Sequence, residues 1–502
     1  MDYSVGCIEV SPRIASLSEG VGVMSRRIMI SSVFNQILVG IVEQGRLAEF
    51  FLEQNEQSRL VGNIYKGKVE NVLPGMDAAF VNIGLERNAF LYVDDISSDD
   101  KSRPIQSLVH KGQEILVQVT KEPEGNKGAR VIGQITIPGR SLVLMPSEDN
   151  IGVSRQISDT SERDRLKRMG RELKPEGIGL IIRTVAEGKD YQDLLADREY
   201  LLSQWANIQE ECRKTAAPAL VYQDHDLVYR IVRDIVSADV EEIVVDSLEL
   251  YQSILDILDQ LGIDETTKIN LYTGKVGLFE QAGITKDLDR ATKKRVWLNS
   301  GGYLIIDQTE ALVSIDVNTG KYVGSTDLAD TVLSTNLEAS REIAKQLRLR
   351  NIGGIIIIDF IDMVSEVDKQ KVLAELEQAL AKDKTKSHVL GFTQLGLAEM
   401  TRKKSKKTLS HVLEMPCPSC QGTGHVLSPH TVAINTAQQL YALAKENDVT
   451  RIEGECHPQV AALLIGKGGS TLAQLRKDLG VPINISGNED YTIEETKLVP
   501  YI

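Results

Sequence analysis

The sequence predicts a multidomain chain of mixed α/β and β units. A small OB-type barrel stands near the N-terminal end, a parallel α/β unit lies past the middle, and a small α/β unit closes the chain. Three observations predict this. Short alternating runs separated by glycine turns fill residues 63–119. A strand–helix–strand pattern spans 301–382. The length of 502 residues accommodates about three to four domains.

Hydrophobic residues make up 42% and charged residues 25%, as in an ordinary globular chain. Against 57 basic residues stand 71 acidic ones, a net charge of −14. That sign excludes a broad basic coat for nucleic acid but leaves room for a local basic track. Five cysteines are too few for a disulfide framework, so a reducing cytoplasm is expected. Aromatic residues are 5%, so any stacking site is built from few rings. The longest aliphatic run, Ile355-Ile356-Ile357-Ile358, is far short of the ~20 apolar residues of a membrane helix. Residues 1–23 show little periodicity and read as a flexible leader, with a second start at Met24.

The barrel reading rests on four or five short strands, among them 64–69, 78–84, 89–93 and 112–119, with glycine turns between. Phe80 and Phe90 fall in neighbouring strands, where rings either fill a barrel or are displayed for stacking. Residues 155–215 are rich in charge and helix formers, and the apolar run 178–182 ends in Arg183-Thr184. An α/β stretch follows, with 228–236, a strand pattern at 241–246, and a helix pattern to Leu261.

In the unit from 301 to 382, 303–306 and 311–317 read as strands joined by a turn at Asp307-Gln308-Thr309-Glu310. A helix carries Leu333, Leu337, Ala344 and Leu347 at helical spacing and closes at Gly353-Gly354. The run 355–358 has the continuous β-branched look of a strand buried on both faces. A βαβ unit makes its strands parallel, so Asp316 and Asp359 end on the same sheet edge, where ligands of open α/β sheets bind. Asn318, two residues on, shares the face of Asp316. Two carboxylates and an amide suit Mg²⁺, although strand-end aspartates are also common turn residues.

Cys417-Pro418-Ser419-Cys420-Gln421-Gly422-Thr423-Gly424 has the spacing of a zinc knuckle but supplies half a tetrahedral site. His411 and His425 could complete it within one chain, or a second chain could bring the same two cysteines. Arg402-Lys403-Lys404-Ser405-Lys406-Lys407 is either a solvated loop or a track for a polyanion. Gly466-Lys467-Gly468-Gly469 separates two helix patterns flanked by strands, like the backbone-clamping turn of a KH module or a plain helix–turn–helix packing unit.

These stretches make the chain resemble the RNase E/G family of bacterial endoribonucleases. The resemblance runs from about Met24 to at least Gly424. Its most specific segments are Asn63-Ile64-Tyr65-Lys66-Gly67-Lys68, Gly125-Asn126-Lys127-Gly128-Ala129, Thr309-Glu310-Ala311-Leu312 leading to Ile315-Asp316-Val317-Asn318, Gln346-Leu347-Arg348-Leu349-Arg350, and Ile358-Asp359-Phe360-Ile361-Asp362-Met363. The family implies an RNase H-like subdomain split between 24–59 and 229–292, with an OB-fold RNA-binding module (60–132) and a 5′-end sensor (133–228) inserted. A DNase I-like catalytic domain (293–414), a zinc link (415–428) and a small KH-like C-terminal domain (429–502) follow.

The resemblance also implies roles. Asp316 and Asp359 are expected to hold Mg²⁺, with Asn318 orienting the site. Arg183 and Thr184, lined by Gly139 and Val143, match a pocket for a 5′-monophosphate, where a guanidinium fork meets phosphate oxygens. Phe80, Phe90 and Lys127 match residues that hold single-stranded RNA. Cys417 and Cys420 match a Zn²⁺ link shared by two protomers of a homodimer or homotetramer. The implied activity is Mg²⁺-dependent cleavage of single-stranded RNA to 5′-phosphate and 3′-hydroxyl ends, stimulated by a 5′-monophosphate, in rRNA processing and mRNA decay. Residues 1–23 have no family counterpart, and the chain stops without a long scaffold arm, as in the short members. Two rivals use the same modules: a non-catalytic RNA- or ribosome-binding protein, and a zinc-dependent chaperone-like module.

Overall fold

A computed structural model describes residues 10–11, 26–54, 59–96, 103–123, 127–237, 239–263, 267–320, 328–404, 406–445 and 449–502. The chain divides into two compact units, Met1–Leu409 and Ser410–Ile502.

In the first unit, the antiparallel strands Arg26–Val33, Gln36–Glu43 and Arg46–Gln54 continue a sheet with Val240–Val245 and Lys268–Tyr272. Segments some 200 residues apart in sequence therefore share one sheet, with Arg26–Val33 parallel to Val240–Val245. The flexible-leader expectation fails at one place. Val10–Ser11 lies on the open edge of this sheet, parallel to Lys268–Tyr272, where unpaired backbone groups accept another strand.

Five strands form a closed barrel: Ile64–Leu73, Ala78–Asn82, Ala89–Tyr92, Arg130–Ile132 and Glu114–Lys121, the last pairing back onto the first. Alternation decides its filling. Ala79, Val81, Ala89 and Leu91 are buried inside, which turns Phe80 and Phe90 outward. After the barrel, a four-stranded sheet of Ile137–Pro138, Leu142–Met145, Gly179–Ile182 and Ile151–Val153 packs against the helices Thr160–Leu173 and Tyr191–Lys214.

A six-stranded sheet then runs in the order Arg295–Trp297, Tyr303–Gln308, Leu312–Asn318, Gly354–Asp359, Ala398–Arg402, Ser387–Phe392. The helices Leu328–Leu349 and Glu366–Leu380 cover one face, burying Leu304, Ile306, Val313, Ile315, Ile356 and Ile358 against Ile343, Leu347, Leu373 and Leu376. The expectation of a strand buried on both faces is wrong here. Ile355 is 53% exposed, because both helices pack on the same side and leave the other face uncovered.

The second unit places the helices Pro429–Leu443, Pro458–Ile465 and Ser470–Leu479 on a three-stranded sheet of Ile483–Gly487, Arg451–Cys456 and Thr496–Tyr501. The central strand is parallel to Ile483–Gly487 and antiparallel to Thr496–Tyr501. Among the described residues, no helix is long and apolar enough to cross a membrane.

Candidate active site

The parallel ladder between Leu312–Asn318 and Gly354–Asp359 ends with Asp316 directly opposite Asp359. Both carboxylates are exposed on the uncovered sheet face, since the intervening Ile315, Val317 and Ile358 point into the core. Asn318 donates from Nδ2 to Asp316 Oδ2 at 2.7 Å. Partial desolvation, then the neighbouring Asp316 and Asp362 carboxylates, push the Asp359 carboxyl above its ordinary value. Behind Asp359, the fully buried Asn336 grips the outgoing chain. Its Nδ2 donates to the Ile361 carbonyl at 2.8 Å, and its Oδ1 accepts from the Ile361 N–H at 3.1 Å.

The donor set fits a hard divalent cation: two adjacent carboxylates whose mutual repulsion such an ion relieves, with an amide alongside. Among the described residues, no group of three His, Cys, Asp or Glu side chains could enclose a metal. Remaining coordination positions would fall to water and a substrate phosphate, an arrangement Mg²⁺ favours over a protein-only cage. Sequence reasoning missed Asn336 and the proximity of Asp362. No local signal singled out Asn336, which lies among other polar residues, Ser334, Thr335 and Ser340, on its helix.

On the barrel, Phe80 and Phe90 are register partners, half-buried, with rings edge-to-face at 6.0 Å. Lys127 is exposed on the segment that leads into Arg130, itself paired with Phe90. The two rings therefore meet on the outer surface of the barrel, with Lys127 three residues before Arg130.

Arg183 and Thr184 follow the Gly179–Ile182 strand. Arg183 Nη1 donates to the Gly139 carbonyl at 2.6 Å, and Nη2 pairs with Asp234 at 2.7 Å. Thr184 Oγ1 donates to Gln156 Oε1 at 3.0 Å and lies 2.9 Å from Ser154 Oγ. Val143 sits in the adjacent strand, opposite Pro138 and Ile181. Asp197 organises the turn after Gly139: its carboxylate accepts the backbone N–H groups of Arg140, Ser141 and Leu142 at 3.2, 2.8 and 2.8 Å. Burial raises the Asp197 carboxyl, and those N–H groups oppose it.

The basic run departs from a simple cationic track. Arg402 is buried, bound to Asp383 at 2.7 Å and to the Ile352 carbonyl at 2.6 Å, because it faces the core side of its strand. Lys406 lies over the Phe51 ring at 4.1 Å, and desolvation lowers its ammonium pKa. Lys403, Lys404, Lys406 and Lys407 are all exposed.

Cys417 and Cys420 form a tight turn, with Gln421 N–H donating to the Cys417 carbonyl at 2.7 Å and Thr423 N–H to the Cys420 carbonyl at 2.9 Å. Hydrogen bonds from the Cys420 and Ser419 backbone, then from their side chains, hold the Cys417 thiol below its usual value. Neither His411 nor His425 joins the pair in a metal-sized group among the described residues. In the C-terminal sheet unit, Gly466, Gly468 and Gly469 adopt φ of 73°, 63° and 81°, and Lys467 is exposed at the tip. A Cβ on Gly466 would strike Thr471, so only glycine fits there.

Comparison with known proteins adds to this geometry. Residues 136–405 match the family described as Ribonuclease E/G family, residues 60–131 match S1 RNA binding domain, and residues 416–500 match RNase E/G, Thioredoxin-like domain. Ribonuclease G of Escherichia coli (strain K12) is 40% identical over 487 residues, 95% of this chain and 100% of that protein. Ribonuclease G of Haemophilus influenzae is 39% identical over 477 residues, covering 93% and 97%. Ribonuclease E of Nostoc sp. is 44% identical over 401 residues, covering 77% and 58%.

Proposed function

The chain belongs to the ribonuclease E/G family and is an endoribonuclease with an S1-type RNA-binding barrel, and on that premise we propose that Asp316, Asp359 and Asn318 form its cleavage centre. The observation that carries the proposal is the direct register pairing of the two aspartates on an uncovered sheet face. Asp316 and Asp359 would hold Mg²⁺. When bound, the ion neutralises charge on the scissile phosphate and acidifies a water. Asn318 keeps the Asp316 carboxylate aimed through its donated amide hydrogen bond, and Asn336 fixes the backbone that follows Asp359. Water adds to phosphorus as the P–O3′ bond breaks, leaving a 3′-hydroxyl on one fragment and a 5′-phosphate on the other.

Single-stranded RNA would lie across Phe80 and Phe90, whose outward rings offer base stacking, with Lys127 neutralising backbone charge. Arg183, Thr184, Gly139 and Val143 would receive a 5′-monophosphate, with Arg183 exchanging its Asp234 partner for phosphate oxygens. Cys417 and Cys420 fit half of a Zn²⁺ site whose other half comes from a second protomer, giving a homodimer or homotetramer. The lowered Cys417 thiol supports thiolate ligation. The Gly466-Lys467-Gly468-Gly469 turn has the backbone freedom to clamp a nucleic-acid strand. The four cysteines among the described residues are free thiols, which suits a cytoplasmic protein. Roles in rRNA processing and mRNA decay follow from the family.

The test uses a short single-stranded RNA with a 5′-monophosphate. Asp316→Asn and Asp359→Asn are each expected to abolish Mg²⁺-dependent cleavage while RNA binding persists. Normal turnover by either purified variant would remove the centre from these residues.

A further inference from the structure

Beside the two aspartates, the uncovered face of the same sheet carries an aromatic group that the proposed cleavage centre does not use. Arg295, Ile305, Asp316 and Asp359 form one row of register partners across four adjacent strands. Trp297, Tyr303 and Asn318 form the next row. Register partners share a face, so all seven side chains stand on the uncovered side. Strands are about 4.8 Å apart, which puts the Trp297 strand about 10 Å from that of Asp316 and Asn318.

The group is built rather than scattered. The Trp297 and Tyr303 rings meet edge-on at 5.3 Å. The Arg295 guanidinium lies 4.6 Å from the Tyr303 ring centre and 5.8 Å from that of Trp297. Yet Trp297 is 62% exposed on an edge strand, so core packing does not account for it. A cation-backed aromatic surface of this kind suits a nucleobase: every base has a π-face, and the guanidinium adds attraction for the attached phosphate.

We propose that Trp297, supported by Tyr303 and Arg295, is a stacking platform for one base flanking the scissile phosphate. This rests on the reading of Asp316 and Asp359 as the cleavage centre. The platform would set which nucleotide of a bound strand lies over the carboxylates, making Trp297 a positioning residue for the cleavage site.

The chain contains two tryptophans, and the other, Trp205, is partly buried against the core of the 133–228 region. Trp205→Phe therefore leaves Trp297 as a sole fluorescent reporter in the full chain. In the Asp316→Asn background, without a chelator, a single-stranded RNA of about ten nucleotides is expected to quench its emission. With Mg²⁺, Trp297→Ala should raise KM about ten-fold, the cost of one lost base stack, and Trp297→Phe should restore most of it. A single abasic site walked along the RNA should slow the wild type at one position next to the cut and leave Trp297→Ala indifferent there. A flat abasic profile, absence of quenching, or equal loss in Trp297→Phe and Trp297→Ala would each overturn the platform. So would a fall in molar mass of Trp297→Ala by light scattering, which would make the patch a subunit contact. The two readings fail separately. An inactive Asp316→Asn without Trp297 quenching refutes only the platform. An active Asp316→Asn with quenching intact refutes the centre.

Discussion

Replacing Gly139 by alanine should uncouple cleavage from the 5′ end. A Cβ at this position would lie 2.5 Å from Asp197 Oδ1 and 2.8 Å from Oδ2. Moving the nearer oxygen from 2.5 Å to an ordinary 3.4 Å contact displaces it by about 0.9 Å. The Arg140 N–H bond to that oxygen is already 3.2 Å long and would break, while the two 2.8 Å bonds from Ser141 and Leu142 would stretch. A backbone bond to a carboxylate contributes about 1.5–3 kcal/mol, and overpacking costs about 1–3 kcal/mol. A local penalty of about 2–4 kcal/mol is thus relieved by shifting the turn, which carries the Gly139 carbonyl away from Arg183 Nη1. Losing that 2.6 Å bond leaves the guanidinium unaimed, and about 1.4 kcal/mol is enough for a ten-fold effect. The assay compares kcat/KM on one RNA sequence with a 5′-monophosphate and with a 5′-hydroxyl. The wild type should prefer the monophosphate, Gly139→Ala should lose about ten-fold of that preference, and the rate on the 5′-hydroxyl RNA should hold. An unchanged ratio, or an equal fall on both substrates, would refute the reasoning.

Arg348→Ala should destabilise the first unit by about 3 kcal/mol in denaturant melts, because it strands Glu43 and Glu49, which Arg348 holds at 2.8 and 2.7 Å. Burial raises the Glu43 carboxyl, but Arg348 and Arg26 more than offset this and hold it below its ordinary 4.5. Its contribution is therefore present above about pH 4.5 and lost as pH falls below it, so Glu43→Gln should flatten the acid limb of a stability–pH curve. The double variant Cys417→Ser, Cys420→Ser should lose bound zinc by metal analysis and fall in molar mass by light scattering; an unchanged mass would refute the interchain link.

How much was legible in the sequence followed the range of the interactions. The convergence of Asp316 and Asp359, 43 residues apart, was readable because a βαβ crossover has one hand and parallel strands put both carboxyl ends on one edge. Phe80 and Phe90 were readable as neighbours but not as inward or outward, since a two-residue period leaves the face undecided until the barrel closes on Ala79, Val81, Ala89 and Leu91. The four-isoleucine run looked doubly buried because β-branched content does not count the layers around a strand. Arg402 looked like the start of a cationic track, yet its strand parity turns it inward onto Asp383. The contact of Gly139 with Asp197 joins a turn to a helix 58 residues on, and no local pattern announces it.

The net charge of −14 takes on a different meaning once cations and carboxylates are located. Many arginines are already matched inside the fold, among them Arg26, Arg183, Arg230, Arg233, Arg348 and Arg402, and so add little to a long-range field. An RNA approaching this chain meets little general attraction, so non-specific binding should be weak, with a shallow salt dependence because few phosphates are neutralised. On the assignment proposed above, affinity comes instead from short-range contacts: outward rings on the barrel that stack an unpaired base, a guanidinium fork that exchanges a carboxylate for phosphate, and two aspartates that repel phosphate until a cation joins them. A duplex still presents its phosphates, but it keeps its bases stacked and so denies the outward rings a partner. On that reading the outward rings, rather than the net charge, carry any preference for single strands.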